Sequence, residues 1–197
     1  LREDTIVYKT ISQRVEKAIV VIPAGFTKEE VENAWECIKD AKNPRLQIEV
    51  PVSTVQMEYT YHVKAEKMLE KIAELTKAAK ELCADVEFSA LDATRADEDF
   101  LIKAVQSAEE NGATMVTVCD DAGVSLPDAI ASLIEKVKAA VKIPVYVQVS
   151  DRISMGAASA VASIAKGVDG IKCAMAGKAI LSTGKLSDAL TACYSEI

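Results

Sequence analysis

Two adjacent carboxylates, Asp120 and Asp121, follow the β-branched run 114–119 (TMVTVC). Carboxylates at a strand end can hold Mg²⁺ through water. Arg95 and Arg152 follow two other apolar runs, and a guanidinium in such a place suits a carboxylate or phosphate. Arg152 also adjoins Asp151, so a local ion pair is the competing reading. Lys172 lies within 170–175 (GIKCAM). A buried lysine can form a Schiff base, or an interior ion pair with Glu87 or Asp120. His62, the single histidine, stands beside Tyr59 and Tyr61, as a loop residue or as a contact for an acidic ligand. The chain carries no HExxH, CxxC or glycine-rich phosphate loop, and one histidine cannot furnish both a triad and a histidine-rich metal site.

The elements that must position these groups alternate between β-rich runs and amphipathic stretches. Strands are expected at 5–12, 18–22, 46–52, 85–90, 114–119, 144–149 and 170–175. Helices are expected at 28–41, 65–83, 98–111, 127–141, 154–166 and 187–194. Thr27 and Glu30 form a capping-box pattern at the first of these helices, and Asn111-Gly112 is a helix stop. Repeated strand–helix units with short loops imply a parallel sheet. Candidate groups then gather at the carboxyl ends of the strands, where such folds place their sites.

Composition narrows the classes. The 197 residues carry a formal charge of −7, which disfavours nucleic acid and anionic membrane surfaces. No apolar run approaches the ~20 residues of a membrane span, and the start shows no signal-peptide pattern. The five cysteines are widely spaced and read as reduced thiols of a cytoplasmic protein. Cys119, at a strand end, is the one to test for reactivity. Length fits one domain over residues 1–197.

Residues 86–95 (VEFSALDATR) with 96–100 (ADEDF) resemble the fourth-strand signature of the 2-isopropylmalate synthase and homocitrate synthase family. These are metal-dependent aldolase-type TIM barrels, hydroxymethylglutaryl-CoA lyase among them. Ala24-Gly-Phe26 resembles the end of the family's second strand, residues 52–59 (VSTVQMEY) the third, and 112–123 (GATMVTVCDDAG) the fifth. Resemblance runs over roughly residues 18–192. It implies an α/β fold, a TIM-type (β/α) barrel, here shortened or incomplete with about seven parallel strands. A typical barrel needs about 250 residues, and an open one leaves two strand edges to be covered.

The family holds a divalent metal with an Asp after strand one, a His-x-His on strand six and an Asn after strand seven. The matching positions here are Gln148, Ser150 and Ala176. Leu1-Arg-Glu3 resembles a remnant of the family's opening motif and would make Arg2 the match of its catalytic Arg. Other departures are Pro23 and Leu91 for glutamates, Gln56 for a histidine and Asp121 for a threonine. Amide and hydroxyl oxygens are much weaker ligands for transition metals than imidazole. The expectation is therefore a catalytically impaired homologue with no metal cofactor, binding a small carboxylic acid or a partner subunit, as a homo-oligomer or beside an active partner. The alternative is an aldolase- or Claisen-type enzyme on 2-oxo acids with a relocated site. Its catalytic groups would be Arg95, Asp120, Asp121 and Lys172. Glu87, Ser89, Thr94, Arg152 and His62 would bind substrate; the competing reading is that Asp92, Thr94 and Arg95 cap and pair within their own loop.

Overall fold

The computed structural model of the chain describes residues 2–175 and 179–194. Helix and strand alternate throughout: α1 (Arg2–Arg14), β1 (Val20–Pro23), α2 (Lys28–Ile38), β2 (Pro44–Pro51), α3 (Ala65–Leu82), β3 (Val86–Leu91), α4 (Glu98–Glu110), β4 (Met115–Cys119), α5 (Pro127–Ala140), β5 (Val145–Gln148), α6 (Gly156–Ala165), β6 (Gly170–Lys172) and α7 (Thr183–Tyr194). The strands form one sheet in the order β1-β2-β3-β4-β5-β6, every neighbouring pair parallel. This is the incomplete TIM-type barrel, with six strands among the described residues. No described helix is long and apolar enough to cross a membrane.

The alternation of side chains decides what lies where. Leu46, Ile48 and Val50 of β2, Val86 and Phe88 of β3, Val116 and Val118 of β4, and Val145 and Val147 of β5 join one buried apolar cluster. The helices supply its other half through Met68, Ile72 and Leu75 of α3, Leu101 and Val105 of α4, and Ile130 and Ile134 of α5. Period 2 then assigns the residues between them to the opposite, concave face. These are Gln47 and Glu49, Glu87 and Ser89, Thr117 and Cys119, Tyr146 and Gln148, and Lys172. The curvature is visible in one contact: Lys172 of β6 meets Glu87 of β3 at 2.6 Å, past two intervening strands.

Helix α2 starts as its capping pattern predicts. Thr27 Oγ1 accepts from the Glu30 amide at 3.2 Å, and Glu30 Oε2 accepts from the Phe26 amide at 2.7 Å. Helix α4 gives way to Gly112 at φ +105°, a conformation that favours glycine.

Residues 5–12 are not a strand; they belong to α1. Their β-branched content suggested alternation, yet the helical spacing Tyr8, Ser12, Val15 faces the body of the protein while Ile6, Val7 and Ile11 are exposed. Tertiary packing against α2 and β1 outweighs local β propensity here. Among the described residues the sheet thus has six strands, against the expectation of about seven. The last strand is also shorter than expected, because β6 ends at Lys172 and the chain continues through isolated bridges, Ala174 with Ser182 and Ser150 with Ile180. Residues 55–60, which lacked a clear period, form a π-helical turn with Met57 buried. Arg2 opens α1, and its side chain lies outside those described, as does Ala176.

Candidate functional site

The concave face carries a connected polar network. Glu87, 1% exposed, accepts three bonds at Oε1: from Ser89 Oγ at 2.8 Å, Thr117 Oγ1 at 2.7 Å and Lys172 Nζ at 2.6 Å. Ser89 Oγ in turn accepts from Gln47 Nε2 at 2.9 Å, and the same nitrogen reaches Glu49 Oε1 at 3.1 Å. A buried carboxylate is tolerable only when paired and hydrogen-bonded, and Glu87 meets both conditions. The predicted interior ion pair of Lys172 is thus with Glu87, not Asp120. Burial pushes the Glu49 carboxyl above its ordinary range; Lys172 opposes this, while Glu87 and Asp121 add to it.

A second network ties the loops after β3 and β4. Asp92 sits at φ +56° with its carboxylate fully buried. Arg95 grips it in a fork, Nε to Oδ1 at 2.8 Å and Nη2 to Oδ2 at 2.6 Å, and Ser53 Oγ donates to Oδ2 as well. Across the loops, Thr94 Oγ1 donates to Asp120 Oδ1 at 2.7 Å, Gly123 N to the same oxygen at 3.2 Å, and Asp92 N to Asp121 Oδ2 at 2.7 Å. The two carboxylates predicted to hold Mg²⁺ each therefore have one oxygen engaged in fastening a loop. Burial raises the Asp121 pKa, opposed by the Asp92 amide and reinforced by the charges of Asp92 and Asp120. Arg95, predicted to meet a ligand, has its Nε and one Nη directed to its own loop.

The end of β5 is closed by the returning chain. Ser150 Oγ donates to Ala179 O at 3.0 Å and accepts from Arg152 N at 3.3 Å. Asp151 N bonds Ala179 O, Leu181 N bonds Val149 O, and Leu181 is fully buried. Gly123 packs so tightly here that a Cβ on it would collide with Ser150. The Asp151–Arg152 ion pair is not formed. Asp151 pairs instead with Lys185 of α7 and accepts from Gly156 N at 3.1 Å, and both contacts lower its pKa. The reason is reach: α7 brings Lys185 onto Asp151, leaving the Arg152 side chain without an ion pair among the described residues. Its charge nonetheless acts on Asp121.

His62 does not join this group. It is exposed at φ +55°, its Nδ1 lies 3.1 Å from Glu58 O, and it lines a separate surface cavity with Phe26, Lys64, Lys67 and Lys71. Cys119 is 2% exposed, and burial pushes its thiol pKa well above the usual value, which disfavours the reactive thiolate. Glu49, Gln47 and Thr117 escaped the sequence reading. The alternation of Gln47 and Glu49 with Leu46, Ile48 and Val50 was the available signal.

The HMGL-like family model matches residues 2–180. The chain belongs to the HMGL-like family. Among its relatives is the 2-isopropylmalate synthase of Carboxydothermus hydrogenoformans, 32% identical over 171 residues, covering 85% of this chain and 34% of that protein. The 2-isopropylmalate synthase of Staphylococcus carnosus is 34% identical over 173 residues, covering 86% and 34%. The chain thus spans about a third of the length of the curated relatives it matches. The crystal structure of hydroxymethylglutaryl-CoA lyase from Pseudomonas aeruginosa shares the fold with a TM-score of 0.80 at 16% identity, over 95% of this chain and 66% of that one.

An HMGL-like protein with this resemblance implies a divalent metal at the strand ends, and the donor set here does not fit one. Gln148 offers an amide and Ser150 a hydroxyl already bonded on both sides. The third matching position, Ala176, falls outside the described residues. Among the described residues no three His, Cys, Asp or Glu side chains converge in a way that could hold a metal ion.

Proposed function

We propose that this chain is an HMGL-like homologue that does not run metal-dependent condensation, and that it acts through binding, as a subunit alongside a partner or a second copy, in a reducing cytoplasmic setting. The observation that carries this reading is the closed end of β5. There the position of a metal-binding imidazole is a serine whose hydroxyl is held by the returning segment around Leu181. All five cysteines are free thiols, consistent with a reducing compartment. β1 and β6 are the outer strands of the described sheet, and an unpaired strand edge is a surface that another element can cover.

The mouth does not favour a simple acid-binding role. Among the described residues, Glu49, Glu87, Asp92, Asp120 and Asp121 stand against Lys172, Arg95 and Arg152, so an anion needs a specific cationic contact rather than a general field.

Calorimetric titration with Mn²⁺, Mg²⁺ and Zn²⁺, joined to an assay for thiol release from acetyl-CoA with a 2-oxo acid, tests the reading. The expected result is no stoichiometric metal uptake and no release by the chain alone. Stoichiometric binding together with metal-dependent turnover would overturn it.

A further inference from the structure

We propose that Lys172 captures a small carbonyl compound bearing an anionic group, as a covalent imine on the concave face, without a metal. Lys172 is the only lysine in any of the six strands. Its side chain is 29% exposed above a carboxylate that is 1% exposed. The amine thus stands at the boundary between a buried acid–base floor and the open mouth. Surface lysines of this chain pair with exposed carboxylates, as Lys67 does with Glu70 and Lys136 with Glu98. Lys172 instead has its proton acceptor fixed from below by Ser89 and Thr117. A fixed proton acceptor within hydrogen-bond reach gives the ammonium a place to leave its proton when a carbonyl carbon is at hand.

The step balances without an oxidant or reductant. The Lys172 ammonium gives one proton to Glu87 Oε1, and its freed lone pair forms the C–N bond while the carbonyl π pair moves to oxygen. That oxygen takes one proton from the nitrogen and one back from Glu87 and leaves as water, and the nitrogen lone pair closes the C=N bond. An ammonium and a carbonyl thereby become an iminium and water. Glu49, half-buried and inclined by burial to keep its proton, stands in the same space as a second carrier. Arg152 supplies the anionic preference. Its guanidinium makes no ion pair among the described residues, and its Cβ lies against the Gly123 turn at the same mouth. A carboxylate on the captured molecule would find in Arg152 a cation with no ion pair to displace among the described residues.

The probe is pyruvate. The 197-residue chain is incubated with pyruvate and sodium borohydride, which reduces an imine to a stable secondary amine, then digested and mapped by mass spectrometry. The reduced adduct is expected at Lys172 in preference to the exposed lysines, unchanged by a chelator and lost in Lys172→Arg, which keeps the charge. Arg152→Met should need about tenfold more pyruvate for half-labelling. The map of the unsubstituted chain is decisive should Lys172→Arg not fold. No adduct, an adduct spread over exposed lysines, or labelling that requires an added divalent cation overturns the imine. Equal labelling of Arg152→Met overturns the anionic group. The metal titration reads uptake of a cation and the borohydride map reads a covalent bond at Lys172, so either reading can fail alone.

Discussion

Replacing Lys172 by methionine keeps the length of the side chain and removes the charge that neutralises Glu87. Removing one partner of a buried ion pair costs about 3–5 kcal/mol, because the other charge is stranded. Glu87 is 1% exposed but Lys172 is 29% exposed, so water enters at the lysine end and the figure falls to about 2–3 kcal/mol. Domains of this size lose about 2–4 °C in Tm per kcal/mol, so Lys172→Met should melt about 5–10 °C lower by circular dichroism at neutral pH. Two companions make the origin legible. Lys67→Met removes the exposed pair with Glu70, whose side chains are 71% and 66% exposed, and should leave Tm unchanged. Lys172→Met with Glu87→Gln leaves no stranded charge and should melt above Lys172→Met alone. The reasoning fails if Lys172→Met melts with Lys67→Met, or if the double variant melts lowest.

Arg95→Met strands the buried Asp92 with Ser53 as its remaining side-chain donor and should cost about 2 kcal/mol, discounted for the exposed arginine, in urea unfolding. Gly123→Ala should cost more than about 1 kcal/mol by the same measurement, since φ +66° and the Ser150 side chain both oppose a Cβ. Burial raises Glu49 above its usual 4.5, so between the unfolded and folded values the native state holds the extra proton and stability falls as pH rises. Glu49→Gln should therefore raise Tm at pH 7 relative to the parent, with the gain shrinking below about pH 4.5, and an equal gain at every pH would refute the assignment. Asp151 behaves oppositely: Lys185 lowers it below 3.8, so its contribution is present at neutral pH and lost as the solution is acidified. Asp151→Asn should lower Tm at pH 7, with the difference from the parent vanishing at low pH.

Much of the scaffold was legible. The runs that became β2 to β5 alternate apolar residues with others, and each is followed by a helix with a clean stripe, so the parallel sheet follows from local pattern. The failure at α1 has a plain cause: eight residues rich in Thr, Ile and Val fit both periods, and contacts with α2 and β1 decide. The Lys172–Glu87 pair was within reach because both residues fall on strand positions of one parity. Glu49 is not singled out by a strand expected at 46–52 unless one asks which of its residues face away from the helices. The closure at Ser150 could not be read at all. It depends on Ala179, 29 residues on, and on a glycine in the neighbouring loop.

On the concave face, one of the chain's own side chains balances the inward carboxylates. A sheet that turns Glu49 and Glu87 inward requires a cation near them, since unpaired carboxylates in a poorly hydrated space are driven to take up protons. A bound ion supplies that charge only at sufficient concentration, so stability becomes linked to metal. An ammonium on β6 supplies it in every folded molecule, bonded at 2.6 Å to the more deeply buried acid. The same choice sets the available chemistry. A divalent ion polarises a carbonyl as a Lewis acid; an amine can engage it only by bonding to its carbon. With Lys172 providing the lumen's fixed positive charge, covalent capture is the route by which this face could still act on a carbonyl compound.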